Sequence, residues 1–153
     1  MAEQTFPAVG VDGGGERVHI YTFTTGSAGA DIADRPVFVA RKKCRCVGAK
    51  IVTSLASAAI DGSNTCAIAL QKQSTTGTNL GSIFSKTLSA NTTAEVPVDL
   101  GNPDATYWEL SDGQQVVMDV TQGTNADLDG SSGEVTLLLY TELINQDTTV
   151  ADA

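Results

Sequence analysis

Short runs of alternating apolar and polar residues, separated by turn residues, are the feature that most restricts the fold of this chain. The clearest run is Val135–Leu143, in which Val135, Leu137 and Leu139 share one face of an extended backbone. A period of two residues is typical of half-buried β-strands, and no segment of a dozen residues has a helical period. The chain is therefore predicted to be all-β.

About eight or nine strands are predicted from these runs and the turns between them. They are Val18–Thr24, Pro36–Arg41, Cys44–Leu55, Thr65–Lys72, Ile83–Leu88, Ala94–Leu100, Tyr107–Leu110, residues 116–120 and Val135–Leu143. Short strands at regular spacing favour a sandwich or jelly roll over a parallel sheet. Antiparallel order does not follow from the spacing but is the commoner case among all-β chains, so we expect an antiparallel, jelly-roll-like β-sandwich.

The ends of the chain differ in composition from its centre. Residues 1–17 contain three consecutive glycines and have no clear period, and residues 145–153 are polar. Glycine-rich and polar ends are commonly flexible. We therefore predict three parts: an N-terminal arm (1–17), a β-sandwich domain (18–144) and a polar C-terminal tail (145–153).

The charges are distributed unevenly along the chain, whose net charge is −9. Residues 1–86 hold all nine Lys and Arg against six acids, whereas residues 87–153 hold twelve acids and no base. A nucleic-acid partner is disfavoured because phosphate binding needs positive charge. No secretory signal is recognised, and no apolar run is long enough to span a bilayer, so no membrane partner is predicted.

No catalytic constellation is recognised in the sequence. His19 is the single histidine, and no G-x-S-x-G motif places an activated serine beside a base. The eighteen acids offer many carboxylate pairs, and this abundance makes any one pair uninformative. These observations predict that the chain is not an enzyme and uses no cofactor.

Two possible metal sites are considered and disfavoured. Cys44, Cys46 and Cys66 could bind zinc with His19, but structural zinc usually takes two cysteines from a short loop with wider spacing. Reduced, partly buried thiols are favoured instead. The loop 125–130 resembles the first half of a calcium loop but lacks the final bidentate glutamate, which favours a polar hairpin loop.

Two groups of residues are candidates for contacts with a partner. The basic run contains Arg41, Lys42, Lys43 and Arg45, and it fits either a solvated strand edge or a docking patch for an acidic surface. The arm contains Phe6, Pro7, Val9 and Val11, which would give it apolar surface to bury on a neighbour. Frayed ends are the alternative interpretation of the arm.

The order and character of the strands resemble those of tailed-bacteriophage capsid decoration (cement) proteins. The resemblance rests on five segments: Asp34–Lys43, Val47–Val52, Thr65–Leu70, Gly113–Val120 and Val135–Tyr140. It implies a jelly-roll-like homotrimer on the exterior of the virion capsid. It also implies that the major capsid protein is the partner and that assembly occurs in the cytoplasm of the bacterial host.

The resulting functional prediction is a virion structural protein that binds the outside of a phage capsid and cements neighbouring capsid subunits. The arm residues and the basic run are predicted to contact the capsid or a neighbouring subunit. The alternative is a head- or tail-fibre protein that binds a host glycan or receptor. That function would use the loops Ser74–Gly81 and Gln122–Gly133.

Overall fold

A computed structural model describes residues 15–144 of the chain, and strands and turns make up that whole range. Its nine strands are β1 (Glu16–Phe23), β2 (Ile32–Val39), β3 (Cys44–Thr53), β4 (Cys66–Gln73), β5 (Asn79–Leu88), β6 (Val98–Asp99), β7 (Glu109–Leu110), β8 (Gln115–Gln122) and β9 (Val135–Leu143). The described range holds no helix, and so none that could cross a membrane.

The strands form two antiparallel sheets that pack face to face. The five-stranded sheet has the order β1-β9-β3-β6, and β7 also pairs with β3. The four-stranded sheet has the order β2-β8-β4-β5. Most consecutive strands alternate between the sheets, which is the connectivity of a jelly roll. The prediction of an antiparallel, jelly-roll-like β-sandwich is therefore confirmed.

Strand β9 shows how the sequence pattern produces the core. Val135, Leu137 and Leu139 are almost fully buried, whereas the residues between them are half-buried on the outer face. The strand lies between β1 and β3 and pairs with both over its length. Its inward side chains therefore lie at the centre of the five-stranded sheet, where burial of apolar surface stabilises the fold.

Two strands begin four residues earlier than the alternation predicts. β2 begins at Ile32 rather than Pro36, and β5 begins at Asn79 rather than Ile83. Both are edge strands, and much of their added length is exposed. Because such residues need no apolar face, they leave no alternating pattern to detect.

One glycine position is dictated by a close contact. A side chain at Gly81 in β5 would overlap the ring of Tyr107, which lies against this glycine from the loop before β7. The absence of a Cβ lets the loop pack on β5. The backbone of the same loop is held by a 2.8 Å hydrogen bond from Asp104 N–H to the carbonyl of Ile83.

Candidate functional site

A cleft with a volume of about 350 Å³ opens at one end of the sandwich, between the edges of the two sheets. It is lined by residues of β1, β2, β3 and β9 and of the loop joining β2 to β3: Arg17, His19, Phe38, Val39, Arg41, Lys42, Cys44, Thr141 and Leu143. The chain order places these residues far apart, and the jelly-roll connectivity brings them together.

The rim of the cleft is cationic. Arg17, Arg41 and Lys42 line it, and among the residues that the structure describes no carboxylate belongs to its lining. The ion pairs found within residues 15–144 are made by Lys43 and Arg45 and involve none of these three cations. On a chain with a net charge of −9, the cleft is therefore a local site of attraction for anionic groups.

The loop that carries Arg41 and Lys42 is anchored by the residue before it. Ala40 is buried, and its N–H donates to the carbonyl of Gln114 at 2.9 Å. Its own carbonyl accepts from the N–H of Gly113 at 2.8 Å. This anchor fixes where the chain leaves β2 and so holds the two cations at the mouth of the cleft.

The apolar wall of the cleft contains His19 and Phe38. Their ring centroids are 4.2 Å apart, and Nε2 of His19 lies 2.9 Å from the hydroxyl oxygen of Thr141. Burial, followed by the charge of Arg17, lowers the pKa of His19. The imidazole is therefore neutral at neutral pH, and the positive charge of the cleft comes from Arg17, Arg41 and Lys42.

The structure divides the predicted basic run into two pairs. Arg41 and Lys42 line the cleft, whereas Lys43 lies 3.9 Å from Glu109 and Arg45 lies 3.5 Å from Glu142. The sequence could not separate these pairs because the acidic partners are distant along the chain. Arg17 was missed as a site residue, and His19 was considered only for zinc binding or catalysis, because the β1–β9 pairing that positions them cannot be seen in the sequence.

The other candidate residues named from the sequence fall partly inside and partly outside the range that the structure describes. Phe6, Pro7, Val9 and Val11 lie outside the described residues. Cys44, Cys46 and Cys66 are buried and form no disulfide. Within residues 15–144, no three His, Cys, Asp or Glu side chains converge as a metal site would require.

The loop between β8 and β9 is tied to the body of the sandwich rather than open. The Asp129 carboxylate accepts hydrogen bonds from the backbone N–H groups of Thr25, Gly26 and Ser131. Burial alone would raise the pKa of Asp129, but hydrogen bonds with Thr25, Asp127 and Ser131 outweigh it and lower that pKa. In this fold the acidic side chain of Asp129, one of the residues with calcium-like spacing, holds the loop against the sandwich.

Comparison with known proteins gives few matches. No family model matches the chain, and no curated protein matches it. Several solved structures are similar, among them a bacterial hydrolase and two virus structures, and the chain spans less than half the length of each of these three.

The first is a CocE/NonD family hydrolase from Staphylococcus aureus, with 11% identity and a TM-score of 0.40 over 84% of this chain and 33% of that one. The second is infectious bursal disease virus, Gx strain, with 12% identity and a TM-score of 0.34 over 94% and 43%. The third is the T13 particle of infectious bursal disease virus, with 13% identity and a TM-score of 0.32 over 97% and 46%.

The first comparison corrects one prediction. A hydrolase is among the similar structures, and this finding contradicts the prediction that the chain is not an enzyme. The physical reason is that a missing motif excludes only sites that are contiguous in sequence. Folding joins distant residues, as it joins His19 to Thr141. At these TM-scores, all below 0.5, the three likenesses assign neither an activity nor a structural role.

Proposed function

We propose that the chain is a virion structural protein that binds the outside of a phage capsid and cements neighbouring copies of the major capsid protein. Support comes from the strand pattern shared with decoration proteins and from the jelly roll, which occurs in viral capsid domains as well as in lectins and cupins. Because a fold alone does not assign a function, the cationic cleft is the observation on which the proposal rests.

The cleft suits an acidic protein segment that also carries an apolar side chain. Carboxylates of the partner would pair with Arg17, Arg41 and Lys42, and arginine binds carboxylates through two parallel hydrogen bonds. An apolar side chain of the same segment would rest on Phe38 and Leu143. The rest of the chain is strongly acidic and would repel the same surface, so the cleft would also set the orientation of docking.

The N-terminal segment supplies a second proposed contact. Phe6, Pro7, Val9 and Val11 precede β1 closely, and Arg17 near the start of β1 lines the cleft. A segment joined to the sandwich at that point would bind the same part of the capsid surface as the cleft does. The three-fold arrangement of copies remains a prediction from the resemblance.

Cementing requires only a modest affinity for each copy. A ligand that binds the assembled shell and not the separated subunits stabilises the shell by mass action. When each copy bridges two or more capsid subunits, and many copies act on one shell, a few kcal/mol per copy are sufficient.

The proposal is tested by cosedimentation of the purified protein with expanded, emptied capsids that lack it. We expect Arg41→Glu to reduce occupancy at least tenfold at moderate salt. Lys86→Glu changes the net charge equally on β5, which is an edge strand of the four-stranded sheet, and should bind as the wild type does. Occupancy of the wild type should fall as salt rises, because salt screens an exposed charge contact.

Two outcomes would contradict the proposal. One is equal loss of binding by both charge variants, which would indicate a response to net charge alone. The other is no binding to capsids together with binding to a glycan array, which would favour the fibre function. Deletion of residues 2–15 tests the second contact separately, and unchanged occupancy would remove the N-terminal segment from the proposal.

A further inference from the structure

The outer edge of β1 is built differently from the two edges of the four-stranded sheet. β2 contains Pro36, a left-handed Asp34 (φ 48°) and two register shifts against β8. The pairing of β5 with β4 also has two register shifts, and β5 carries Lys86. Proline, lysine and irregular register are the usual means by which proteins block pairing at a sheet edge.

β1 has none of these protections. Its eight residues pair with β9 in one unbroken register, and the strand contains neither proline nor lysine. Within residues 15–144, no strand pairs with its other side. A regular edge of this length presents backbone donors and acceptors in the spacing that another strand needs.

The outer face beside this edge is apolar. Ile20 is 67% exposed, the largest exposure among the bulky apolar side chains of the described residues, and Val18 is 46% exposed. Across the β1–β9 register they lie opposite Leu138 and Tyr140, which are half-buried on the same face. An added strand would continue this apolar strip.

The charges of β1 favour a second copy of the same strand in antiparallel orientation. The charged residues of the strand, Glu16 and Arg17, both lie at its beginning. Antiparallel pairing of two copies places them beside the neutral end of the partner strand, near Thr22 and Phe23. Parallel pairing would place like charges side by side, which is destabilising.

We propose that two copies of this chain associate through β1, antiparallel, so that the five-stranded sheet continues across a two-fold axis. Ile20 then lies close to Ile20 of the partner subunit. Such an isologous contact uses the same surface on both copies and can join copies that belong to neighbouring three-fold groups. One strand pair buries less than the roughly 1,200 Å² of a stable interface, so we expect a reversible, micromolar dimer.

Sedimentation velocity of the full chain over a range of concentrations tests this contact without any capsid. We expect a monomer–dimer equilibrium that Ile20→Lys weakens at least tenfold. The matched control is Val96→Lys, at a site 48% exposed in the loop before β6, and it should leave the equilibrium unchanged. Added salt should strengthen the dimer, because it screens repulsion between two copies of charge −9. By contrast, added salt should weaken the binding of the cleft to the capsid, so salt separates the two contacts.

A second variant gives a positive readout that does not depend on a weakened fold. With a short bismaleimide, Ile20→Cys should cross-link into dimers, whereas Val96→Cys should not. The three native cysteines are buried and do not compete. The proposal is overturned if the two variants cross-link equally, if the wild type stays monomeric at high micromolar concentration, or if deletion of residues 2–15 abolishes a dimer that Ile20→Lys leaves intact.

Discussion

The guanidinium carbon of Arg45 lies 5.2 Å from the centre of the Trp108 ring, and Nε of the same arginine lies 3.5 Å from Oε1 of Glu142. Arg45 therefore joins the outer faces of β3 and β9 to the segment that leads into β7. The carbonyl of Trp108 accepts a 2.8 Å hydrogen bond from the N–H of Cys46 and fixes that segment to β3. Arg45 stabilises the sheet, whereas Arg41 makes no ion pair within residues 15–144.

Replacing Arg45 should therefore lower stability and spare binding. We expect Arg45→Ala to reduce the free energy of unfolding by about 1 kcal/mol, the sum of a partly exposed cation–π contact and a surface ion pair. Urea unfolding followed by the fluorescence of Trp108 measures this. Arg41→Ala should show the reverse, with unchanged stability and weaker capsid binding. The division of the basic run would be wrong if the two variants behaved alike.

Because Tyr107 packs against Gly81, we expect a side chain at position 81 to destabilise the fold, and removal of the tyrosine ring to relieve part of that cost. We expect Gly81→Ala to lower the free energy of unfolding by about 2 kcal/mol, because the added methyl group must displace the ring. Gly62→Ala is the control, since a Cβ there meets no atom within 4 Å. In the background of Tyr107→Ala, Gly81→Ala should cost less, and the cost that remains reflects the positive φ of 157° at this position, which L residues rarely adopt. Additive effects in this double-mutant cycle would show that the ring is not the obstacle.

The buried thiols predict a loss of stability at alkaline pH. Burial, and then the proximity of Cys44, raises the pKa of Cys46 from 9.0 to about 12, and burial with nearby Asp31 raises that of Cys66 to about 12. The unfolded chain releases these protons first, above pH 9. Each thiol should therefore lower the free energy of unfolding by about 1.4 kcal/mol per pH unit above that point.

Urea unfolding at several pH values between 9 and 11 measures this dependence. The double variant Cys46→Ala/Cys66→Ala should show a shallower slope than the wild type, whatever its absolute stability. In native protein at pH 8, both thiols should react with iodoacetamide far more slowly than in urea. Equal slopes, or rapid native labelling of Cys46, would contradict the burial of these groups.

For Asp129 we expect the opposite dependence, in which the free energy of unfolding falls as the pH is lowered into the acid range. The pKa of its carboxyl is lower in the folded chain, so its stabilisation is present above about pH 4 and is lost as pH falls through the folded value. We expect Asp129→Asn to cost about 2–3 kcal/mol at neutral pH, because buried N–H groups lose a charged acceptor. Asp112→Asn, at an exposed turn position, is the control.

Thermal unfolding between pH 3 and pH 7 checks both parts of this prediction. The difference in stability between wild type and Asp129→Asn should shrink as the pH falls. Asp127 lies beside Asp129 and accepts a hydrogen bond from the hydroxyl of Ser131, so Asp127→Asn is compared in the same series. A difference that stays constant down to pH 3 would mean that folding does not lower the pKa of Asp129.

The strands that the sequence predicted most closely are those buried on one face. The bounds of β9 agree with the prediction, and β3 and β4 agree within two residues at each end. Their inward side chains must be apolar, so the alternation of apolar and polar residues in the sequence follows directly from which side chains are buried. β6 was predicted over Ala94–Leu100 and is only two residues long, because the left-handed Glu95 (φ 62°) turns the chain just before it.

The candidate site was only partly predictable. A cluster of cations is visible in any sequence, so Arg41 and Lys42 could be named in advance. Their separation from Lys43 and Arg45 depends on Glu109 and Glu142, and the contribution of Arg17 depends on strand order. These are long-range pairings, which local sequence pattern does not encode.

The adjacency of the first and last strands has a practical consequence. Glu16 and Glu142 are partners in the β1–β9 register, so the polypeptide enters and leaves the sandwich at one corner. Cargo fused at either terminus would be tethered at that corner, while the opposite pole stays accessible. The same proximity suits circular permutation, in which a short linker closes the old ends and a surface turn such as 61–64 is opened instead.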